Sequence, residues 1–209
     1  MSNTGKSVHR QQITELDDHY AEVEKWFKLF LNKHPEIYQH SVRVSMLAEK
    51  IAVPLELSAP DKGNLIRGCF VHDIGKIMIP RDIILERGPL DDKQWDIIKL
   101  HPLLGAELLE GNAGFTPEIV AVVRSHHERW DGKGYPDGLK GEEIPLYARI
   151  CAVIDAFDSM TSNFTYRRRL NISEAKLELL RHAGTQFDPD IVHALMKLSN
   201  DILDIYSLT

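Results

Sequence analysis

The run Phe70-Val71-His72-Asp73-Ile74-Gly75-Lys76 sets the strongest constraint on any fold this chain can adopt. It puts an imidazole and a carboxylate side by side at the end of an apolar segment containing Leu65, Ile66, Cys69 and Phe70. The pair is therefore expected at the end of a buried segment. Imidazole and carboxylate are also hard-to-borderline metal ligands, and a carboxylate has two oxygens with which to bridge two ions. Gly75 reads as a tight backbone exit, and Lys76 sets a cation beside the pair. A lone His-Asp pair fits a helix end with a core-adjacent histidine equally well. The other histidines weigh against that plainer reading.

Helical spacing runs through most of the chain. From about Ile13 to Asn32 the apolar positions Ile13, Leu16, Tyr20, Val23, Phe27, Phe30 and Leu31 follow it. Residues 1–34 are therefore expected to hold an N-terminal helix that packs on the domain or serves as a dimerisation or regulatory segment. Pro35 can open a second helix, where its missing N–H costs nothing. Glu36 and His40 share a face of that helix with apolar Val44 and Leu47, so both are expected to point toward the core. A further helix is expected from Ser58-Ala59-Pro60-Asp61 to His72. Asp91 and Gln94 form a capping box. His101 precedes Pro102, which holds it at a junction between two helices.

Thr116-Pro117-Glu118 starts a helix that ends at His126-His127-Glu128. Trp130 to Gly138 is a run of turn residues and reads as a loop. After Pro145 an apolar helix carries Tyr147, Ile150, Cys151, Val153, Ile154 and Phe157, with Asp155 in its middle. A carboxylate in that setting needs a cation or several donors. Ser173 is the expected cap of a helix closed by Gly184, and Asp188-Pro189 opens a last one. Neither strand patterning, repeats nor an internal linker is present. The fold class is all-α: a single-domain helical bundle over residues 35–209.

Composition narrows the function. A length of 209 residues suits one large domain with a substantial core. A net charge of -6 argues against general nucleic-acid binding, so an anionic substrate needs local positive charge from metal ions or a few cations. Cys69 and Cys151 lie in apolar surroundings and make no disulfide framework, which points to a reducing compartment. Met1 to Arg10 is polar, and no apolar run approaches the ~20 residues of a membrane span. The expectation is a soluble, cytoplasmic protein with no membrane partner.

Collected, the residues with site chemistry are Glu36, His40, His72, Asp73, His101, His126, His127 and Asp155. Each lies on or beside an apolar helix. His9, His19, His34, His182 and His193 sit in polar or amphipathic settings and are expected at the surface. Imidazoles and carboxylates without thiolate suit catalytic iron, manganese or zinc better than structural zinc. The set is too rich for one ion, and two ions ~3.5–4 Å apart with a bridging carboxylate would use it.

His72-Asp73-Ile74-Gly75-Lys76, His101-Pro102, His126-His127-Glu128 and Asp131-Gly132-Lys133-Gly134-Tyr135-Pro136 together resemble the signature of the HD-GYP phosphodiesterases of the HD superfamily. These metal-dependent bacterial enzymes open cyclic di-GMP. The resemblance runs from about Glu36 to about Asp190. It implies that His40, His72, Asp73 and Asp155 hold one metal, and that Asp73 bridges to a second held by His101, His126 and His127. Glu36 matches the position that supports a third metal in some members, so a bi- or trinuclear site is implied. Iron or manganese is the implied metal, with zinc, nickel or magnesium as alternatives. Lys76 matches a lysine that contacts substrate phosphate. The Gly-Tyr-Pro loop, with Tyr135, matches one linked to substrate access or to contacts with diguanylate cyclase (GGDEF) partners.

One stretch departs from that pattern. Relatives commonly read Asp-Arg-Pro-Tyr-Arg where this chain reads Asn163-Phe164-Thr165-Tyr166-Arg167. Arg167 is kept, but Phe164 replaces an arginine, which bears on the nucleotide grip and not on the metal chemistry. The implied activity is hydrolysis of cyclic di-GMP to linear pGpG and, on further cleavage, GMP, with Asp73 and Lys76 at the reacting phosphate. The alternatives are another cyclic dinucleotide such as cyclic GMP-AMP, another phosphoester, or a non-catalytic messenger-binding or partner-docking module. Family members usually carry a sensory or receiver domain, and nothing before Ile13 has the length for one.

Overall fold

In a computed structural model of the chain, the described residues are 28–86, 88–162 and 169–204. Most of the expected N-terminal helix, with His9 and His19, therefore lies outside them, as do Phe164 and Arg167. The described part of α1, residues 28–33, is helical and buries Phe30. Pro35 opens α2 (Pro35–Ile51), whose inner face is His40, Ser41, Val44, Leu47, Ala48 and Ile51. Ser58 caps α3 (Ala59–Val71) by accepting from the Asp61 N–H at 3.3 Å.

Beyond His72 the chain tightens into a 3-10 turn, Ile74–Met78, followed by the short α4 (Arg81–Ile84). The capping box at Asp91 and Gln94 is formed at the start of α5 (Asp92–Ile98). Then come α6 (His101–Leu109) and α7 (Pro117–Ser125). A long loop leads to α8 (Leu146–Thr161), the central apolar helix. The bundle closes with α9 (Ile172–Arg181), α10 (Pro189–Met196) and α11 (Asn200–Asp204).

The all-α reading holds among the described residues, whose only bridge is an isolated Ala183–Phe187 pair. Two expectations need correction. The cap of α9 is Asn171, not Ser173: Asn171 accepts from the Glu174 N–H at 2.9 Å while Glu174 accepts from the Asn171 N–H at 2.9 Å. Ser173 falls inside the helix, because the box needs its acid three residues after the cap. Likewise α10 is followed by α11.

The larger core cluster joins α2, α3 and α8 to α9 and α10 around Leu47, Leu65, Ile154 and Phe157. A second cluster packs Phe30, Val71, Ile74, Leu109, Ile119 and Val123. The histidines and acids of interest lie on the elements that join the two. Among the described residues, no helix is long and apolar enough to cross a membrane.

Candidate metal centre

Asp73 is 2 % exposed, and its carboxylate faces His72, Lys76, His101 and His126. Its Oδ1 lies 3.2 Å from His101 Nε2 and 3.8 Å from His126 Nε2. Its Oδ2 lies 3.5 Å from His72 Nε2 and accepts from Lys76 Nζ at 2.6 Å. Burial alone would push this carboxyl upward, but Lys76, His72 and His101 outweigh it and hold Asp73 well below the usual carboxylate range. The carboxylate is ionised and shared.

Three of the imidazoles are presented by one device. A helix ends with carbonyls that lack partners. His72 Nδ1 donates to Cys69 O in the last turn of α3, at 2.7 Å. His126 Nδ1 donates to Val123 O in the last turn of α7, at 2.8 Å. His101 Nδ1 donates to Ile98 O, the last residue of α5, at 2.7 Å. Each bond fixes the tautomer, so Nε2 carries a lone pair and faces Asp73. His101 Nε2 and His126 Nε2 stand 3.2 Å apart, and with both Nδ1 atoms donating to carbonyls the neutral rings carry no proton between them. Two lone pairs and a carboxylate oxygen converging this way repel one another unless a cation lies among them. Among the described residues, His72 Nε2 and Asp73 Oδ1 have no hydrogen-bond partner, and both are buried. The negative ends of helix dipoles at α3 and α7 favour the same charge.

The donors fall into two groups, each with its atoms within 4.8 Å of one another: Asp73, His101, His126 and His127, and His40, His72 and Asp73. Asp155 borders the second, with Oδ1 3.0 Å from His40 Nε2. Burial lowers the His127 pKa to about 3, with His101 adding to the shift. Burial also lowers His72 and His126. Neutral imidazole is the form that binds metal. His40 differs: burial opposes its charge, but Asp155 and Asp158 outweigh that and raise it to about 9. A field that attracts a proton to His40 attracts a divalent ion as well.

Residues 27–191 match the HD domain family. The chain belongs to that family. Its HD domain is 35% identical to the cyclic di-GMP phosphodiesterase of Thermotoga maritima, over 93% of this chain and 53% of the relative. It is 33% identical to the 3'3'-cGAMP-specific phosphodiesterase 3 of Vibrio cholerae, over 92% of this chain and 42% of the relative. The chain thus spans about half the length of the curated relatives it matches. Among solved structures, the HD-GYP protein Bd1817 of Bdellovibrio bacteriovorus superposes with a TM-score of 0.65 at 24% identity, covering 80% of this chain and 52% of that one. The resemblance to HD-GYP proteins holds.

Glu36 stands apart in this HD domain. It was expected to point inward with His40, yet its side chain is 50% exposed and 3.7 Å from His34 Nδ1. His34, expected at the surface, is fully buried. The kink between α1 and α2 turns His34 in and leaves Glu36 on the outer side. Of the other expected surface histidines, His182 is half-buried against Glu178 and His193 is exposed.

Gly75 also has a different role from the one expected. Its φ is not positive; instead, a Cβ there would lie 2.0 Å from His101 O and 2.6 Å from Gly105 N. The glycine lets α6 dock on the His-Asp turn, and so brings His101 to Asp73.

The Gly-Tyr-Pro loop folds back on the site. Tyr135 stacks on His127 with centroids 4.9 Å apart and planes at 26°. A Cβ on Gly134 would lie 2.4 Å from Arg129 N, so glycine is required for this close approach. Buried Glu128 clamps the loop, its Oε1 accepting from the N–H groups of Asp137 at 2.7 Å and Gly138 at 3.1 Å. Burial raises the Tyr135 hydroxyl pKa, and Asp73 and Asp155 add to the shift. The phenol stays neutral beside the acids.

Sequence reasoning overlooked Asp158 and Arg43. The signal was available: Asp158 follows Asp155 by one helical turn, and Arg43 follows His40 by one.

Proposed function

We propose that this HD domain hydrolyses a phosphodiester bond of a cyclic dinucleotide, with cyclic di-GMP as the first substrate, using divalent metal ions. The observation that carries the reading is one buried carboxylate, Asp73, shared by two groups of imidazole and carboxylate donors. The relatives named for cyclic di-GMP and 3'3'-cGAMP support the substrate class. His40, His72, Asp73 and Asp155 would hold one ion, and Asp73, His101, His126 and His127 the other. Iron or manganese suits donors of this type. Bound there, divalent ions supply Lewis acidity and make water a usable nucleophile at neutral pH.

The chain's own groups do the positioning. The helix-end carbonyls hold His72, His101 and His126 in one tautomer before substrate arrives. Lys76 keeps its ammonium 2.6 Å from Asp73 with 22% of its side chain open to solvent, so it can donate to a phosphoryl oxygen. That bond neutralises charge that builds up in the transition state. Tyr135 walls the side of His127 and limits water there. Glu36 retains a role as donor to a third ion only if its side chain turns from His34. In the same reading the protein works in the cytoplasm, the Gly-Tyr-Pro loop meets diguanylate cyclase partners, and the N-terminal segment pairs two copies.

Base selectivity turns on Phe164. An arginine there would give bidentate phosphate bonds or stack on a base, whereas phenylalanine can only stack. Stacking is worth ~1–3 kcal/mol per base and does not choose guanine over adenine. Arg167 and Lys76 then carry the phosphate contacts. Phe164→Arg should lower KM for cyclic di-GMP and widen its preference over cyclic GMP-AMP.

The test of the activity is turnover of cyclic di-GMP and cyclic GMP-AMP by protein loaded with manganese, or with iron anaerobically. Linear dinucleotide should accumulate, and Asp73→Ala should abolish it. Metal-replete protein that binds these messengers and cleaves none would make it a binding module instead.

A further inference from the structure

His72, His101 and His126 each have a helix-end carbonyl for Nδ1, but His40 sits inside α2, where backbone carbonyls are taken by the helix itself. Its ring must be fixed by something else. His40 Nδ1 donates to Asp158 Oδ2 at 2.7 Å, across the contact between α2 and α8. Asp158 is 1 % exposed and is itself held from three sides. Arg43 Nε donates to Oδ1 at 2.7 Å and Arg43 Nη2 to Oδ2 at 2.9 Å, a forked pairing. Ser162 Oγ donates to Oδ2 at 3.2 Å. One turn of α2 therefore supplies His40 and Arg43, and one turn of α8 supplies Asp155 and Asp158. The imidazole is gripped at both nitrogens, Nε2 facing Asp155 at 3.0 Å.

This makes the two donor groups unlike. The group with His101 and His126 is oriented by neutral carbonyls, while His40 has an ionised carboxylate behind it. A carboxylate that accepts from a ligand imidazole fixes the tautomer and raises the ligand's basicity. We propose that Asp158, locked by Arg43, is a positioning residue that makes the ion held by His40, His72 and Asp155 the tighter-bound of the two. The inference rests on the two-ion reading above. It assigns Asp158 no contact with substrate or metal.

The test is stepwise metal binding, read without activity. Metal-stripped parent protein is titrated with manganese or zinc against a chromophoric chelator, and two affinities are extracted. In Asp158→Asn the tighter affinity should fall about ten- to hundred-fold, with the weaker one unchanged. Arg43→Lys, which keeps the charge but loses the fork, should weaken the same ion less. Should Asp158→Asn fail to fold, by circular dichroism, Arg43→Lys carries the test alone. Two affinities unchanged, or both lowered equally, overturn the proposal while leaving the two-ion reading intact. A parent that binds only one ion overturns the two-ion reading, and the proposal with it.

Discussion

His101 and His126 face each other through Nε2 at 3.2 Å, each having already committed its Nδ1–H to a carbonyl at a helix end. The Asp73 carboxylate, with Oδ1 3.2 Å from His101 Nε2 and 3.8 Å from His126 Nε2, adds negative charge beside these lone pairs. A cation should therefore stabilise the native state by mass action. Manganese at ~100 times its Kd would contribute ~2.7 kcal/mol, or roughly 5–10 °C in Tm for a chain of this size. Scanning calorimetry of stripped and loaded protein measures it, and His126→Ala should remove the part of the rise due to the ion among Asp73, His101, His126 and His127 while leaving the part due to the other ion. A parent Tm that ignores added metal contradicts this account of the pair.

Asp73 contributes to both donor groups, whereas His101 belongs to one. Asp73→Ala should accordingly lower bound metal by more than one equivalent and abolish hydrolysis. His101→Ala should cost no more than one. Elemental analysis of the two purified variants separates them, and equal single-equivalent losses would show that Asp73 does not bridge.

Much of this was readable in the linear chain because the candidate ligands sit where local rules act. His72 and His126 follow apolar helical runs, and His101 is pinned by Pro102, so helix ends could be located and their histidines grouped. The metal roles themselves came from the resemblance in motif order. What failed was tertiary. His34 lies in the polar run Asn32-Lys33-His34-Pro35-Glu36, yet it is buried because its N–H continues the turn from core residue Phe30, with a 2.9 Å bond to Phe30 O. No local pattern reports which side of such a kink faces inward, and Glu36 was misjudged for the same reason. Asp158 was missed differently: its spacing from Asp155 was visible, but only the α2–α8 contact shows that it meets His40.

Gly75→Ala tests whether α6 depends on backbone contact. The new Cβ would meet His101 O at 2.0 Å and Gly105 N at 2.6 Å, both backbone atoms that cannot rotate away. Overpacking of this kind typically costs ~1–3 kcal/mol, and here it should also move His101 off Asp73. A lower urea midpoint is expected together with loss of about one metal equivalent. Gly63→Ala is the control, since a Cβ there meets nothing within 4 Å. Inside α3 that change should stabilise by ~0.5–1 kcal/mol. Wild-type metal content in Gly75→Ala would mean that α6 need not touch the turn.

The Gly-Tyr-Pro loop should depend on Glu128 as well as on Gly134. Glu128 is 3% exposed, and its Oε1 takes both the Asp137 and Gly138 N–H groups. Hydrogen bonds to a charged acceptor are worth ~1.5–3 kcal/mol each, and truncation leaves two backbone donors to find water. Glu128→Ala should therefore release residues 134–138 and lift Tyr135 from His127, while the buried helices stay folded. Hydrogen exchange of the Asp137 and Gly138 amides reads the clamp directly: protection should fall at least ten-fold in Glu128→Ala. Glu128→Gln keeps an oxygen acceptor without the charge, so it should recover most of the protection. If the alanine variant protects these amides as the parent does, the loop is held by other contacts, of which the Arg124–Asp137 pair at 2.7 Å is the nearest candidate.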